Sequence, residues 1–419
     1  MRGDVSGRDT DVRRMLVGLL ADSHVMSFDH LPELVSRHAA AAGLTDVQIY
    51  LGDLQRDVLR LLSAEGRQAE RKHPAEVPVE GSVAGRAYQY GRITAGAAGA
   101  RSWWMPLLDG TERLGVLHVT APANDASAQE VMLALASLVA MLVVSCRVTS
   151  DSYARLSRSE AMNVAAEMQW QLMPPRTYAD GRVTIGAVME PAYQVSGDAY
   201  DYATAGNIVH LSVFDAMGHD TAAGLTANLA VGACRNRRRQ GAGLAALGDA
   251  IETVILEQFG HNRYVTGILA DLDTTTGVLT WTSRGHHPPV VIRGGRWSSL
   301  LDCPPSHPMG SDLGLPTTVC REHLQPGDRI VLYTDGITEA RTAAGVEFGL
   351  AAFVDFLIRH HADGLPVPET LRRLMRAVRQ HHNDRLQDDA TILLCEWLGP
   401  EKLSTSSTAP VAGVPLPHH

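Results

Sequence analysis

Short apolar runs that close on aspartate or glycine recur through the second half of the chain. Residues 208–214 (IVHLSVF) form one such run and end at Asp215; residues 329–334 form another and end at Asp335-Gly336. Asp388-Asp389 precede a third, residues 391–397. These runs are rich in β-branched residues and carry no helical period, so they read as buried strands. Residues 183–188, 264–272, 278–282, 289–292 and 296–300 read the same way, the last two flanking Gly294-Gly295, a hairpin signal. Apolar residues at helical spacing predict helices over 221–235, 244–259, 350–360 and 369–382. Hairpin-linked strands that outnumber the helices predict antiparallel sheets with helices packed outside.

The first half mixes helix and strand differently. Residues 1–11 read as a loose polar start. Residues 16–20 and 31–42 read as helical, with Gly43 as a stop. Strands are expected over 47–51 and 58–62, and a hairpin over 103–107 and 114–119 about Asp109-Gly110. Ser127 and Glu130 fit a capping box before an apolar helix over 131–146. That run is shorter than the roughly 20 residues of a membrane span. Ser137 and Ser145 interrupt it, which predicts a core or partner-facing helix. A further helix is expected over 153–173, with Ala161, Ala165, Met168 and Leu172 in one stripe and Pro174-Pro175 as its end. Such a stripe suits a parallel coiled coil, and hence a homodimer through this linker helix. From residue 399 onward Ser, Thr and Pro dominate, the composition of a disordered tail.

Composition narrows the classes. A chain of 419 residues suggests two or three domains. A net charge of -9 argues against nucleic acid or an anionic membrane as partner. The five cysteines, Cys146, Cys234, Cys303, Cys320 and Cys395, show no CxxC spacing. They predict free thiols in a reducing, cytoplasmic setting. The polar N-terminus offers no secretory hydrophobic region.

The acidic residues carry the chemistry. Asp198, Asp201 and Asp215 lie within residues 194–220, and further aspartates mark two more strand ends. A single aspartate at a strand end is an ordinary turn former. Several at the ends of separate buried strands are costly unless paired or coordinated. With no Cys or His spacing beside them, they suggest an all-oxygen site for Mg²⁺ or Mn²⁺.

Four segments in order, VSGDAYD, FDAMGHD, YTDGITEAR and DDATILL, resemble the motifs of the metal-dependent protein phosphatase (PPM) family, in its SpoIIE/RsbU-type serine/threonine branch. In addition GSVAGRAYQYG, followed by WWMPLLDGTERLGVLHV, resembles a GAF sensory domain. The resemblances imply an α+β chain. Residues 1–21 hold a flexible start and the first helix, 22–146 a GAF-like α/β sensor, and 147–175 a helical linker. Residues 176–398 are an αββα sandwich phosphatase domain, and 399–419 the tail.

By resemblance, Asp215 bridges two Mn²⁺ or Mg²⁺ ions and a nucleophilic water, and the Ala216 backbone carbonyl is a neighbouring ligand. Asp335 and Asp388 match ligands of one ion, and Asp198 matches an acidic residue associated with the other. Asp201, His219 and Asp389 are candidates for supporting roles, with Asp389 an alternative ligand to Asp388 and Asp201 equally a local structural residue. Two cations about 3.5–4 Å apart acidify a water, neutralise phosphoryl oxygens and hold the attack in line, so no nucleophilic Ser or Cys is required. Two positions depart from the branch's pattern, Ala199 for an aromatic residue and Asp220 for a glycine. No arginine is assigned to phosphate. The RNRRR run at 235–239 reads as a steering patch or a solvated helix end, and GHHPP at 285–289 as a strand-connecting turn.

The activity implied is removal of phosphate from serine or threonine of a regulatory protein, an anti-anti-sigma factor by resemblance. Control comes from the GAF-like domain, whose ligand the sequence does not name. Two other readings are a non-catalytic phosphatase-like adaptor and a two-metal nucleotidyl enzyme. No Walker-type loop supports the latter.

Overall fold

The computed structural model describes residues 3–63, 75–96, 101–121, 126–342, 345–381 and 388–401. These form two compact units, one up to Glu160 and one from Ala161 onward. His382, expected to end a helix, and the expected tail beyond residue 401 lie outside the described residues.

The first unit contains α1 (Gly3–Asp22), α2 (Leu31–Ala39), β1 (Thr45–Gly52), β2 (Val58–Leu62), β3 (Glu76–Pro78), α3 (Val83–Tyr90), β4 (Thr94–Ala95), β5 (Ser102–Asp109), β6 (Glu112–Thr120), α4 (Ala126–Arg147) and α5 (Asp151–Ser157). One antiparallel sheet runs in the order β3-β2-β1-β6-β5-β4. Met15 and Leu19 of α1 join Leu31, Leu34, Met132, Leu135 and Val139 in a core with Ile49, Met105 and Leu117 of the sheet. A smaller cluster around Tyr88 of α3 includes Tyr50, Leu59 and Val116. Helix α1 starts at Gly3, so most of the expected loose segment is helical; that stretch is polar but holds no proline to break a helix. Helix α4 starts at Ala126, which places Ser127 and Glu130 inside its first turns rather than at a cap. At 22 residues it is long and apolar enough to cross a membrane by length and composition, so the argument from shortness falls. One face of it, with Met132, Leu135, Val139 and Val143, is fully buried against the unit's sheet and helices, and 39% of the apolar window is buried in all.

The expected single helix over 153–173 is two. Helix α5 ends at Ser157, Arg158 is extended, and α6 (Val164–Leu172) begins anew. Asn163 caps α6, its side-chain oxygen accepting from Ala166 N at 2.7 Å. The stripe periodicity runs across this break, but Ser150 and Asn163 each supply a capping oxygen that starts a helix of its own. The segment therefore does not form one continuous coiled-coil helix.

The second unit continues with β7 (Thr177–Ala179), β8 (Val183–Glu190), β9 (Asp198–Ala205), β10 (Ile208–Ala216), α7 (Thr221–Arg238), α8 (Leu244–Phe259), β11 (Val265–Asp273), β12 (Val278–Arg284), β13 (Val290–Arg293), β14 (Trp297–Leu300), β15 (Cys320–His323), β16 (Arg329–Tyr333), α9 (Asp335–Thr338), α10 (Gly349–Ala362), α11 (Val367–His381) and β17 (Ala390–Trp397). One sheet runs β15-β12-β11-β10-β9 and the other β14-β13-β16-β17-β8-β7. Val213, Leu211 and Ala199 of the first sheet share a core with Leu393, Leu332 and Ile185 of the second and with Ala227 and Ile251 of α7 and α8. Phe353 and Leu357 of α10, with Leu371 and Leu374 of α11, cover the outer face of the second sheet. The layers are thus helix, sheet, sheet, helix. Strands β8, β16 and β17 are buried at every residue. That double burial is why they read as unbroken apolar runs rather than alternating ones.

The cysteines depart from expectation. Cys303 and Cys320 form a disulfide, with Cα atoms 6.0 Å apart. Cys146, Cys234 and Cys395 are free. Spacing along the sequence hid the pair, because the loop after β14 returns to β15 and brings the two together in space.

Candidate active site

The acidic residues meet at one end of the two facing sheets. Asp215 is next to last in β10, and its register partner in β9 is Asp198, so two carboxylates stand directly across from one another. Like charges in that relation destabilise a sheet unless something intervenes. Asp198 is buried and its Oδ2 accepts from Thr334 Oγ1 at 2.5 Å. The same Thr334 hydroxyl accepts from Thr391 N, so it links β9, the end of β16 and the start of β17. Gly197 precedes Asp198 because a Cβ there would lie 2.7 Å from the Ala216 carbonyl oxygen. Its own N–H donates to Asp389 Oδ2.

The second sheet supplies the rest. Asp335 opens α9 directly after β16, and Asp388 and Asp389 precede β17. Gly336 is required where it stands, since a Cβ would collide with the Asp389 carbonyl. Asp389 is buried, whereas the Asp388 side chain is exposed.

The crowding shows in the acidities. Burial, then the charges of Asp335, Asp388 and Asp389, push Asp215 up to about 7, with His287 opposing. Burial and then Asp215 and Asp389 hold Asp198 well above the carboxylate range, against the hydrogen bond from Thr334. Asp389 is pushed up to about 6, by burial first; the Gly197 N–H opposes this and Asp388 adds to it. Asp335 moves the other way, held down by its contact with His287. His287 Nε2 stands 3.7 Å from Asp335 Oδ2, which is ion-pair reach and long for a hydrogen bond. Five carboxylates thus share one site, and among the described residues the counter-charges that act on Asp215, Asp335 and Asp389 include the imidazoles of His287, His286 and His219.

A hard divalent cation fits this donor set, because every acidic donor is an oxygen and the charge surplus is what a cation would neutralise. Among the described residues, no three His, Cys, Asp or Glu side chains already stand as a coordination shell.

Not every expected residue belongs to the cluster. Asp201 is buried, but Arg235 and Arg238 each hold it at 2.7 Å. It ties β9 to α7, and the same pairs remove two arginines of the basic run from solvent. His219 is exposed and its charge eases the ionisation of Asp389. Asp220 caps α7 through Ala223 N and pairs with Arg263 at 2.9 Å. Arg263 also donates to the Met217 carbonyl, clamping the turn that follows Asp215.

Several supporting residues escaped the sequence. Gln169 of α6 is 1% exposed; its Nε2 donates to the carbonyls of Ser196 and Asp198, and its Oε1 accepts from Ser196 N. Trp170 beside it donates to the Ala192 carbonyl. Glu167, Gln169 and Gln171 alternate with apolar residues along α6, so no local pattern singled out Gln169. His286 and His287 lie in the expected strand connection, between β12 and β13, and that connection sits against the site.

Residues 205–398 match the family model described as Stage II sporulation protein E (SpoIIE). Asp198 lies just upstream of that span. The chain is 24% identical over 237 residues to the phosphoserine phosphatase RsbU of Bacillus subtilis, covering 56% of this chain and 69% of RsbU. It also resembles the SiaA PP2C domain of Pseudomonas aeruginosa, with TM-score 0.49, 20% identity and coverage of 56% of this chain and 94% of that one. The RsbU and RsbW domains of a Mycobacterium tuberculosis protein give TM-score 0.47 and 23% identity over 55% of this chain; this chain spans 64% of that one, less than two thirds. With the four motifs assembled at the ends of two facing sheets, the second unit matches the SpoIIE family over residues 205–398 and is homologous to the phosphatase RsbU.

Proposed function

We propose that the chain removes phosphate from a phosphoserine or phosphothreonine of a regulatory protein, with two Mn²⁺ or Mg²⁺ ions as cofactors. The observation that carries this reading is the gathering of Asp198, Asp215, Asp335, Asp388 and Asp389 from both sheets into one site, where burial and then the neighbouring charges push Asp215 up to about 7. Asp198, Asp215, the Ala216 carbonyl, Asp335 and Asp388 would hold the ions, with Asp389 the alternative to Asp388. When bound, the ions supply an acidified water and neutralise phosphoryl oxygens. The chain's own residues do the positioning. Thr334 orients the Asp198 carboxylate, His287 faces Asp335, and Arg263 holds the turn of residues 217–220 beside Asp215.

The substrate class is proposed from RsbU, whose name is that of a phosphoserine phosphatase; the partner proposed with it, on the motif resemblance, is an anti-anti-sigma-type protein in the cytoplasm. The first unit, with its six-stranded sheet and flanking helices, is proposed as a GAF-like sensor that sets the activity. A second reading, a non-catalytic binding module, draws on the lack of a ready coordination shell among the described residues.

The test is phosphate release from a phosphoserine protein by the full chain in Mn²⁺, Mg²⁺ or EDTA, beside Asp215→Asn. Release that needs the metal and is lost in the variant supports the phosphatase. Absence of both release and metal binding by calorimetry supports the binding module. A shortened chain for comparison has to begin before Asn163, because α6 carries the Gln169 contacts to the Asp198 loop.

A further inference from the structure

His286 leaves both ring nitrogens engaged between the two sheets. Its Nε2 lies 2.9 Å from the Tyr333 carbonyl oxygen in β16, and its Nδ1 lies 2.8 Å from Thr266 Oγ1 in β11. A carbonyl only accepts, so Nε2 carries a proton. Thr266 Oγ1 also lies 3.4 Å from the Asp215 carbonyl, so the same hydroxyl joins the imidazole to the backbone of Asp215. The ring is 8% exposed, and the turn that presents it is pinned by Ser283 Oγ, which donates to the His286 carbonyl at 3.0 Å.

The two anchor points are not arbitrary. Thr266 is the register partner of Asp215. Tyr333 ends β16 two residues before Asp335. His287 then stacks on the Tyr333 ring, at 6.2 Å between centroids and 16° between planes, and faces Asp335. Two carboxylates that come from different sheets are therefore linked through this imidazole, beside the Thr334–Asp198 hydrogen bond.

We propose that His286 is a positioning residue of the phosphatase site: by tying Thr266 to the Tyr333 carbonyl it sets the separation of Asp215 from Asp335, and so the fit of the carboxylates to a divalent cation. This rests on the phosphatase reading above. Neither sheet fixes that separation on its own, because β10, which bears Asp215, and β16, which leads to Asp335, lie in different sheets. A shift of the order of an ångström between ligands is enough to weaken a hard-cation site.

The test compares the full-length wild type with His286→Leu, His286→Gln and Thr266→Val. It measures Mn²⁺ affinity by calorimetry, phosphoprotein kinetics and thermal unfolding. A glutamine amide can donate to Tyr333 and accept from Thr266, whereas leucine does neither. His286→Leu is expected to bind Mn²⁺ at least 10-fold more weakly with a matching rise in the Mn²⁺ needed for half-maximal rate, and His286→Gln to recover to within about 3-fold of wild type. A folded His286→Leu with wild-type affinity and rate overturns the proposal and leaves the phosphatase reading intact. Equal loss in leucine and glutamine variants assigns the effect to packing and overturns it too. Should His286→Leu fail to fold, Thr266→Val removes one end of the bridge without changing side-chain shape; about 3-fold weaker Mn²⁺ binding is expected, and an unchanged value overturns the bridge. A wild type that neither binds Mn²⁺ nor releases phosphate sinks the phosphatase reading, and this proposal with it.

Discussion

Asp198 and Asp215 are direct cross-strand neighbours in β9 and β10. Their placement costs stability in the metal-free protein and provides the charge that a cation requires. Replacing Asp215 by asparagine removes one of the two facing charges at nearly constant shape. In EDTA at pH 8 the Asp215→Asn variant should therefore be more stable than wild type, by roughly 1 kcal/mol, a rise of about 2–4 °C in Tm. The same variant should lose metal-dependent phosphate release. Calorimetric melting with and without Mn²⁺ checks both. A variant that melts below wild type in EDTA would mean the facing carboxylates are already neutralised by protein groups.

Proton release should accompany metal binding. Asp215 is pushed up to about 7 and Asp389 to about 6, so the metal-free site keeps protons that ordinary carboxylates have lost. A cation needs these groups ionised and must displace those protons. The sign follows: Mn²⁺ affinity rises with pH through about 6 to 7 and levels off above that range. Each retained proton weakens binding by about tenfold per pH unit below its pKa. Titrations at pH 6 in buffers of different ionisation enthalpy should show proton release, and at pH 8 much less. Affinity that is flat from pH 5.5 to 8 would contradict the crowding of carboxylates.

Gln169 reaches from α6 to the loop that carries Asp198. Replacing it with alanine leaves the Ser196 N–H and two carbonyls without their partner in a buried place. Each buried polar group left unpaired costs about 1–3 kcal/mol. Gln169→Ala should lose roughly 2–3 kcal/mol in urea unfolding and need more Mn²⁺ for half-maximal rate, because the Asp198 loop is no longer fixed. Glutamate at this position should be worse, since it cannot donate and adds charge beside Asp198. Wild-type Mn²⁺ dependence in Gln169→Ala would separate α6 from the site.

Much of the second unit was legible because its strands are short, β-rich and punctuated by Asp-Gly pairs whose geometry demands glycine, as at Gly336 against the Asp389 backbone. The positions of Asp215, Asp335, Asp388 and Asp389 could be read from those strand ends. Their supports could not. Gln169, Thr334 and His286 act through contacts between segments far apart in the chain, and nothing in local spacing encodes such partners. Asp201 shows the converse: its place in the VSGDAYD motif left a supporting and a local structural role equally open, and its partners, a turn apart on α7, decide for the structural one. The break between α5 and α6 was missed because hydrophobic periodicity passes through residues 158–163, whereas capping by Asn163 is decided by one side chain.

Asp201 separates a structural from a catalytic role. Both guanidinium groups that hold it are largely buried, with Arg238 8% exposed, so removing the carboxylate strands two cations. Breaking a buried pair in this way costs about 3–5 kcal/mol. Asp201→Asn should lower unfolding stability on that scale. The folded fraction at low temperature should keep wild-type Mn²⁺ affinity. A variant of normal stability with weakened metal binding would return Asp201 to the site.

The cysteines allow a sharp count. Cys303 and Cys320 are bonded to each other. Cys234 is buried and its thiol is pushed up to about 12 by burial, while burial raises Cys395 as well. Thiolate is the reactive form, so both should resist alkylation in the folded chain. Cys146 is only partly covered and should react slowly. Mass spectrometry after alkylation should therefore find one modified cysteine in the native protein, three after unfolding without reductant and five after unfolding with it. The bond closes the loop between β14 and β15, and its reduction should cost the second unit about 2–4 kcal/mol. Five modified cysteines in unreduced, unfolded protein would show that the pair is held as thiols, as expected from a reducing compartment, and the loss of stability on adding reductant should then vanish.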